Sequence, residues 1–138
     1  MRIIVAIVIV GGGLLTMSIA AAQQPAATGN DPNFTGVVTT MDAADITGGR
    51  RKFEAGARTA WHSHDKGQLI YAESGRMRTG RRNQPFKEYE AGGSEYTAPN
   101  VEHWHGATPA GSLVQVNIQF GGTTKWLVKT TDEEYNKK

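Results

Sequence analysis

"GARTAWHSHDKGQLIYAESG", running from Gly56 to Gly75, sets His62 and His64 two residues apart just ahead of an alternating stretch that begins at Gln68. In an extended chain, residues two apart project to the same side, so the two imidazoles of such a pair point together. The chain has four histidines, and the other two, His103 and His105, repeat the arrangement in "HWHGA". Trp61 and Trp104 have the opposite parity and face the other way. Imidazole is the commonest protein ligand for late first-row metals, so two matched pairs predict a metal site.

The turn "DKG" is short enough to bring Gln68 close to the first pair if its strand lies antiparallel beside the histidine strand. Gln68, Ile70 and Ala72 would then share a face, with the amide oxygen as a neutral donor. The plainer reading is a polar residue next to a turn. A site built from all four histidines is a further alternative.

The rest of the sequence favours an all-β domain. It is rich in glycine, threonine and valine, with short alternating runs between turn residues. Strands are expected at Gly67 to Gly75, Lys87 to Glu90, Glu95 to Ala98, His103 to Gly106 and, as the last strand, Leu113 to Phe120. Gly92-Gly93, Pro99-Asn100 and Gly121-Gly122 mark turns. The tail "TTDEEYNKK" has capping-box spacing at Thr130/Glu133 and Thr131/Glu134, which predicts a short helical turn. No P-loop, dinucleotide-binding glycine pattern, serine nucleophile elbow or solenoid repeat is found.

The first residues read as an export signal. Arg2, an apolar run from Ile3 to Met17 and an A-x-A site at Ala20 and Ala22 predict a signal peptide over 1–22, with an uncleaved membrane anchor as the alternative. Residues 23–33 read as a flexible tether, and 34–138 as the folded domain. The protein is accordingly expected in the periplasm or secreted. It has no cysteine, so disulfides do not contribute to its stability. Loss of Arg2 with the leader brings the 15 basic side chains within one of the 13 acidic ones, which gives no case for a nucleic-acid partner. The local excess at Arg76, Arg78, Arg81 and Arg82 reads as a solvated hairpin tip, or else as a docking patch for an anionic polymer or surface.

These landmarks resemble the cupin motifs. Gly56, five residues, His62 and His64, Gln68 in place of the usual acid, and Gly75 match the first motif. "GGSEYTAPNVEH", from Gly92 to His103, is similar to the second, although Ala98, Asn100 and Ala107 replace the family's proline, glycine and asparagine. "NFTG", "FEAGARTAWHSH" and "HWHGA" look like the bacterial cupin hydroxynitrile lyases and the related carboxymuconolactone-decarboxylase-like cupins. The resemblance implies a double-stranded β-helix, or jelly-roll barrel. It implies a divalent transition metal held by His62, His64, Gln68 and His103, manganese first, with iron, zinc, nickel or cobalt as alternatives. It implies catalytic roles for Thr59, His105 and Gln119, and it turns Gln115 and Gln119 of "LVQVNIQF" toward the metal, whereas alternation alone favours solvent for those amides. The lyases carry a histidine where this chain has Gln115, which weakens the case for cyanohydrin chemistry.

Three imidazoles and an amide leave a divalent charge uncompensated, which favours Lewis-acid chemistry on a small oxygen-bearing molecule, with His105 as base. A dioxygenase using the same metal, and a binding module without turnover, are the alternatives. Trp61 and Trp104 are expected under the N-terminal segment or against a second copy in a homo-oligomer.

Overall fold

The computed structural model describes Thr35, Val38, Thr39 and residues 41–137. The expected leader and tether lie outside the described residues. The chain divides into two compact units, Met1–Asp42 and Ala43–Lys138, and the helix and strands among the described residues lie in the second. Among the described residues no helix is long and apolar enough to cross a membrane.

Among the described residues nine strands and one short helix follow in order: β1 (Ile46–Phe53), β2 (Ala60–His64), β3 (Gln68–Ser74), β4 (Met77–Arg81), β5 (Lys87–Tyr89), β6 (Ser94–Thr97), β7 (His103–Ala107), β8 (Leu113–Phe120), β9 (Thr124–Lys129) and α1 (Asp132–Asn136). They form two antiparallel sheets, ordered β1-β8-β3-β6 and β5-β4-β7-β2-β9. This is the all-β double-stranded β-helix that the motifs implied, with one correction. The sheets do not close into a barrel, because the edge strands β1, β6, β5 and β9 pair with nothing in the opposite sheet.

Two further expectations are corrected. Leu113–Phe120 is not the last strand: Gly121 and Gly122, at φ of 80° and 73°, turn the chain back into β9. Nor does β3 lie beside β2. The turn after His64 carries the chain from one sheet to the other, so β3 pairs with β8 and β6 while β2 pairs with β7 and β9.

The space between the sheets is graded. Ile70, Ala72, Met77, Ala107 and Leu113 form an apolar cluster, with Phe53 and Tyr89 packed against it. Farther along the same strands the inward positions become polar: Gln115 and Asn117 on β8, His105 and His103 on β7, and Gln68 on β3, all buried. Alternation places these residues on the same face as the cluster, so one pleated scaffold carries both core and site.

The tryptophans occupy the outer face of the five-stranded sheet, as parity requires. Among the described residues α1 covers them; the expected N-terminal segment lies outside the described residues. Trp61, Trp104 and Tyr135 form a buried cluster with Phe86 and Leu127 alongside. The Tyr135 ring lies 5.3 Å from that of Trp104, and its hydroxyl donates to the Ala107 carbonyl at 2.5 Å. The guanidinium groups of Arg58 and Arg78 stand 4.5 and 4.6 Å from the Tyr135 ring centre. Thr131 caps the helix and forms the reciprocal capping box with Glu134, one of the two pairs expected from spacing. The arginines of the β4–β5 hairpin are not a free basic patch. Arg78 pairs with Glu88 at 2.6 Å, Arg81 with Glu95 at 3.0 Å, Arg82 with Glu102 at 2.8 Å and with Glu134, and Arg76 with Glu88 and Glu90.

Candidate metal centre

His62 on β2 stands directly opposite His103 on the neighbouring β7. Their ring centres are 4.2 Å apart, and His64 lies 5.1 Å from His62 and 5.6 Å from His103. One ring nitrogen from each of the three lies within 4.8 Å of the others, and all three side chains are buried. Three imidazoles from two strands distant in sequence therefore meet at one point.

The hydrogen bonds fix which nitrogen faces that point. His62 Nδ1 donates to the Ala60 carbonyl at 2.9 Å, and His103 Nδ1 donates to the Val101 carbonyl at 3.1 Å. A carbonyl can only accept, so Nδ1 carries the proton in both rings and Nε2 keeps its lone pair. His64 Nδ1 is bonded to Thr124 Oγ1 at 3.0 Å, and its buried Nε2 has no partner. Burial lowers the pKa of His62 to about 4 and that of His103 to about 3, with the neighbouring rings adding to the effect; burial also lowers that of His64. All three rings are neutral at physiological pH.

Gln68 joins them from the opposite sheet. Its side chain is buried, and Oε1 lies 3.0 Å from His103 Nε2. Gly67, at φ 83°, shapes the turn that delivers it, and Asn100 N–H donates to the His64 carbonyl at 2.7 Å. Two acceptors facing each other repel unless a cation lies near both. Donors about 2.1 Å from a metal and at right angles around it stand about 3 Å apart. The Gln68–His103 distance fits that spacing, and the unpartnered His64 Nε2 fits a further donor. These residues suit a divalent transition metal.

His105 lies outside the group of mutually close donors, which argues against the all-histidine alternative. It is buried, with its ring 5.2 Å from His62 and 6.0 Å from Phe53, and Nδ1 has no partner. Burial first, then the three neighbouring rings, hold its pKa well below the ordinary value. Thr59 Oγ1 accepts the His105 backbone N–H at 3.1 Å, while Thr59 N–H donates to the His105 carbonyl at 2.9 Å. Gly106, next in the motif, is required because a Cβ there would strike the Ala57 carbonyl and Arg58.

A small cavity, open to solvent, brings Thr59, Gln119, His62, His64, Gln68 and His105 together. Gln115 is completely buried, and neither of its amide atoms has a hydrogen-bond partner, although it is close enough to raise the His105 pKa slightly against the other effects. The amide face of β8 therefore turns inward, as the resemblance implied and alternation alone did not. The cavity also holds Arg51, Asn117 and Trp126, which sequence reasoning did not single out. Arg51 and Trp126 lie on β1 and β9, two strands not anticipated; Asn117 shares the amide face of β8, and that parity was the available signal.

Comparison with known proteins agrees with this fold. The chain is 34% identical over 99 residues to the (R)-mandelonitrile lyase of Granulicella tundricola, covering 70% of this chain and 76% of that protein. It is 32% identical to a cupin-like protein of Thermotoga maritima, with a TM-score of 0.64, over 84% of this chain and 95% of the other. A double-stranded β-helix protein from Klebsiella pneumoniae, at 17% identity, shares the fold with a TM-score of 0.55 over 66% of this chain and 80% of its own. No family profile matches the chain.

Proposed function

The chain belongs to the cupin family, and from that premise we propose that it is a metal-dependent enzyme acting on a small oxygen-bearing molecule by lyase-type chemistry. The observation that carries this reading is the cluster of three buried, neutral imidazoles with a neutral amide oxygen 3.0 Å from one of them. His62, His64, His103 and Gln68 would hold the metal, manganese first and iron, zinc, nickel or cobalt otherwise, and it would supply Lewis-acid polarisation of a substrate oxygen.

The remaining steps belong to side chains of the cavity. His105 is neutral at physiological pH because burial opposes its charged form, so it enters the reaction as a proton acceptor. Thr59 accepts the backbone N–H of His105, which leaves its own O–H as a donor toward the cavity it lines. Gln119 offers a second polar contact, and the two together orient the substrate. Gln115 can donate or accept a hydrogen bond but cannot take a proton at neutral pH. A single base, His105, therefore serves the proton transfer, and cyanohydrin cleavage would be a relative or side activity of the native reaction. Location outside the cytoplasm is part of the same proposal, supported by Arg2, the apolar run and the Ala20-x-Ala22 site. Self-association is another part, supported by sheet edges that pair with nothing among the described strands.

The test is metal analysis of protein purified from its exported compartment, followed by a screen for carbon–carbon bond cleavage beside a carbonyl or cyanohydrin carbon. His105→Ala should retain the metal and lose on the order of a hundredfold or more in kcat. Metal-dependent oxygen uptake would mark a dioxygenase instead. Ligand binding that H105A leaves intact, with no turnover in the parent, would mark a binding module.

A further inference from the structure

Every arginine among the described residues except one pairs with a carboxylate. Arg50 holds Glu73, Arg58 holds Asp132, and the four arginines of the β4–β5 hairpin are paired as described above. Arg51 is the exception. Its Nη1 donates to Asn117 Oδ1 at 2.6 Å, a neutral acceptor, and no carboxylate among the described residues meets it.

Its position gives the missing partner a meaning. Arg51 lies on β1, the edge strand of the four-stranded sheet, opposite Gln115 in register. Trp126 lies on β9, the edge strand of the five-stranded sheet, opposite His62, and its ring is 4.7 Å from that of His62. Both line the cavity, so its mouth is the gap between two unjoined sheet edges, with a guanidinium on one lip and a 62% exposed indole on the other. None of the residues lining the cavity is acidic. An anion entering there meets no repulsion from the lining, and a guanidinium presents the planar fork that a carboxylate accepts in two parallel bonds. The indole offers a flat apolar surface for the remainder of the molecule.

We infer that the site selects a small carboxylic acid bearing a flat apolar group, with Arg51 binding the carboxylate and Trp126 stacking on the rest. This assignment takes the cavity to be the reaction site proposed above, and it names the substrate class by charge. Arg51 is thereby a specificity-determining residue that no metal-ligand motif contains.

Benzoate and its uncharged counterpart benzamide serve as probes. Each is titrated by calorimetry and tryptophan fluorescence into the parent protein, R51L, R51K and W126A, metal-free and manganese-loaded, with metal content measured in every sample. In the metal-free parent, benzoate should bind about tenfold to a hundredfold more tightly than benzamide. R51L should abolish that preference at unchanged metal uptake, R51K should restore part of it, and W126A should weaken both probes by a similar factor. Equal affinity for the two probes in the metal-free parent, or a preference that survives in R51L, overturns the assignment. A parent that takes up no metal yet keeps the preference overturns the metal reading and leaves this one standing.

Discussion

Gln68 Oε1 and His103 Nε2 meet at 3.0 Å across the gap between the two sheets. Neither atom has a proton to offer the other, since His103 commits its N–H to the Val101 carbonyl. A cation held between them would resolve the contact, and the neutrality of Gln68 would leave that cation's charge undiminished. Gln68→Glu would cancel about half the charge of a divalent ion. The variant should bind the metal more tightly and bind azide roughly tenfold more weakly. Spectroscopic azide titration of the cobalt- or manganese-loaded proteins measures this; equal azide affinity in parent and variant would count against the charge argument.

Acid should unfold the metal-free protein through the same rings. Burial holds His62 and His103 at about 4 and about 3 in the folded state, against an ordinary value of 6.5. Between 6.5 and those lower values the unfolded chain binds more protons than the folded one, so stability rises with pH across that window. Above it the two rings contribute no further slope. Falling from pH 7 to 4, His62 alone should cost on the order of 3 kcal/mol. Urea denaturation of the metal-free protein at stepped pH measures the slope, and His62→Gln should remove part of it. A flat profile between pH 4 and 6.5 would mean that the rings are not buried as described.

Tyr135 ties α1 to the back of the histidine-bearing sheet. Tyr135→Ala removes a buried ring, its hydrogen bond to Ala107 and two cation contacts, and should cost about 3–5 kcal/mol. Tyr135→Phe keeps the ring and should cost about 1 kcal/mol. Thermal unfolding of the two variants separates packing from hydrogen bonding; equal losses would place the effect in the hydroxyl.

The histidine pairs could be read in the sequence because strand parity alone decides which side chains share a face. The last turn of helix was similarly legible, since Thr131 and Glu134 satisfy each other locally. Pairing was not. Gln68 reaches the site from the opposite sheet, and a three-residue turn does not reveal whether the chain returns to its own sheet or crosses. β1 was hidden because "ITGGRRKF" combines two glycines with three successive basic residues, a pattern of low strand propensity that its pairing with β8 overrides. With β1 and β9 unread, the two lips of the cavity, Arg51 and Trp126, could not be placed. The tryptophans were assigned the correct face, but α1 was not foreseen against it, because a five-residue helix gives little periodic signal of what it packs against.

Because Tyr135 backs the sheet that presents His62 and His103, the site is assembled late in the making of the protein. All four histidines have been synthesised by residue 105, yet their strands gain the outer support of Tyr135 only when the closing turn arrives. A stop codon shortly before that turn would yield a chain with every candidate ligand but without the outer cover of the sheet that carries three of them.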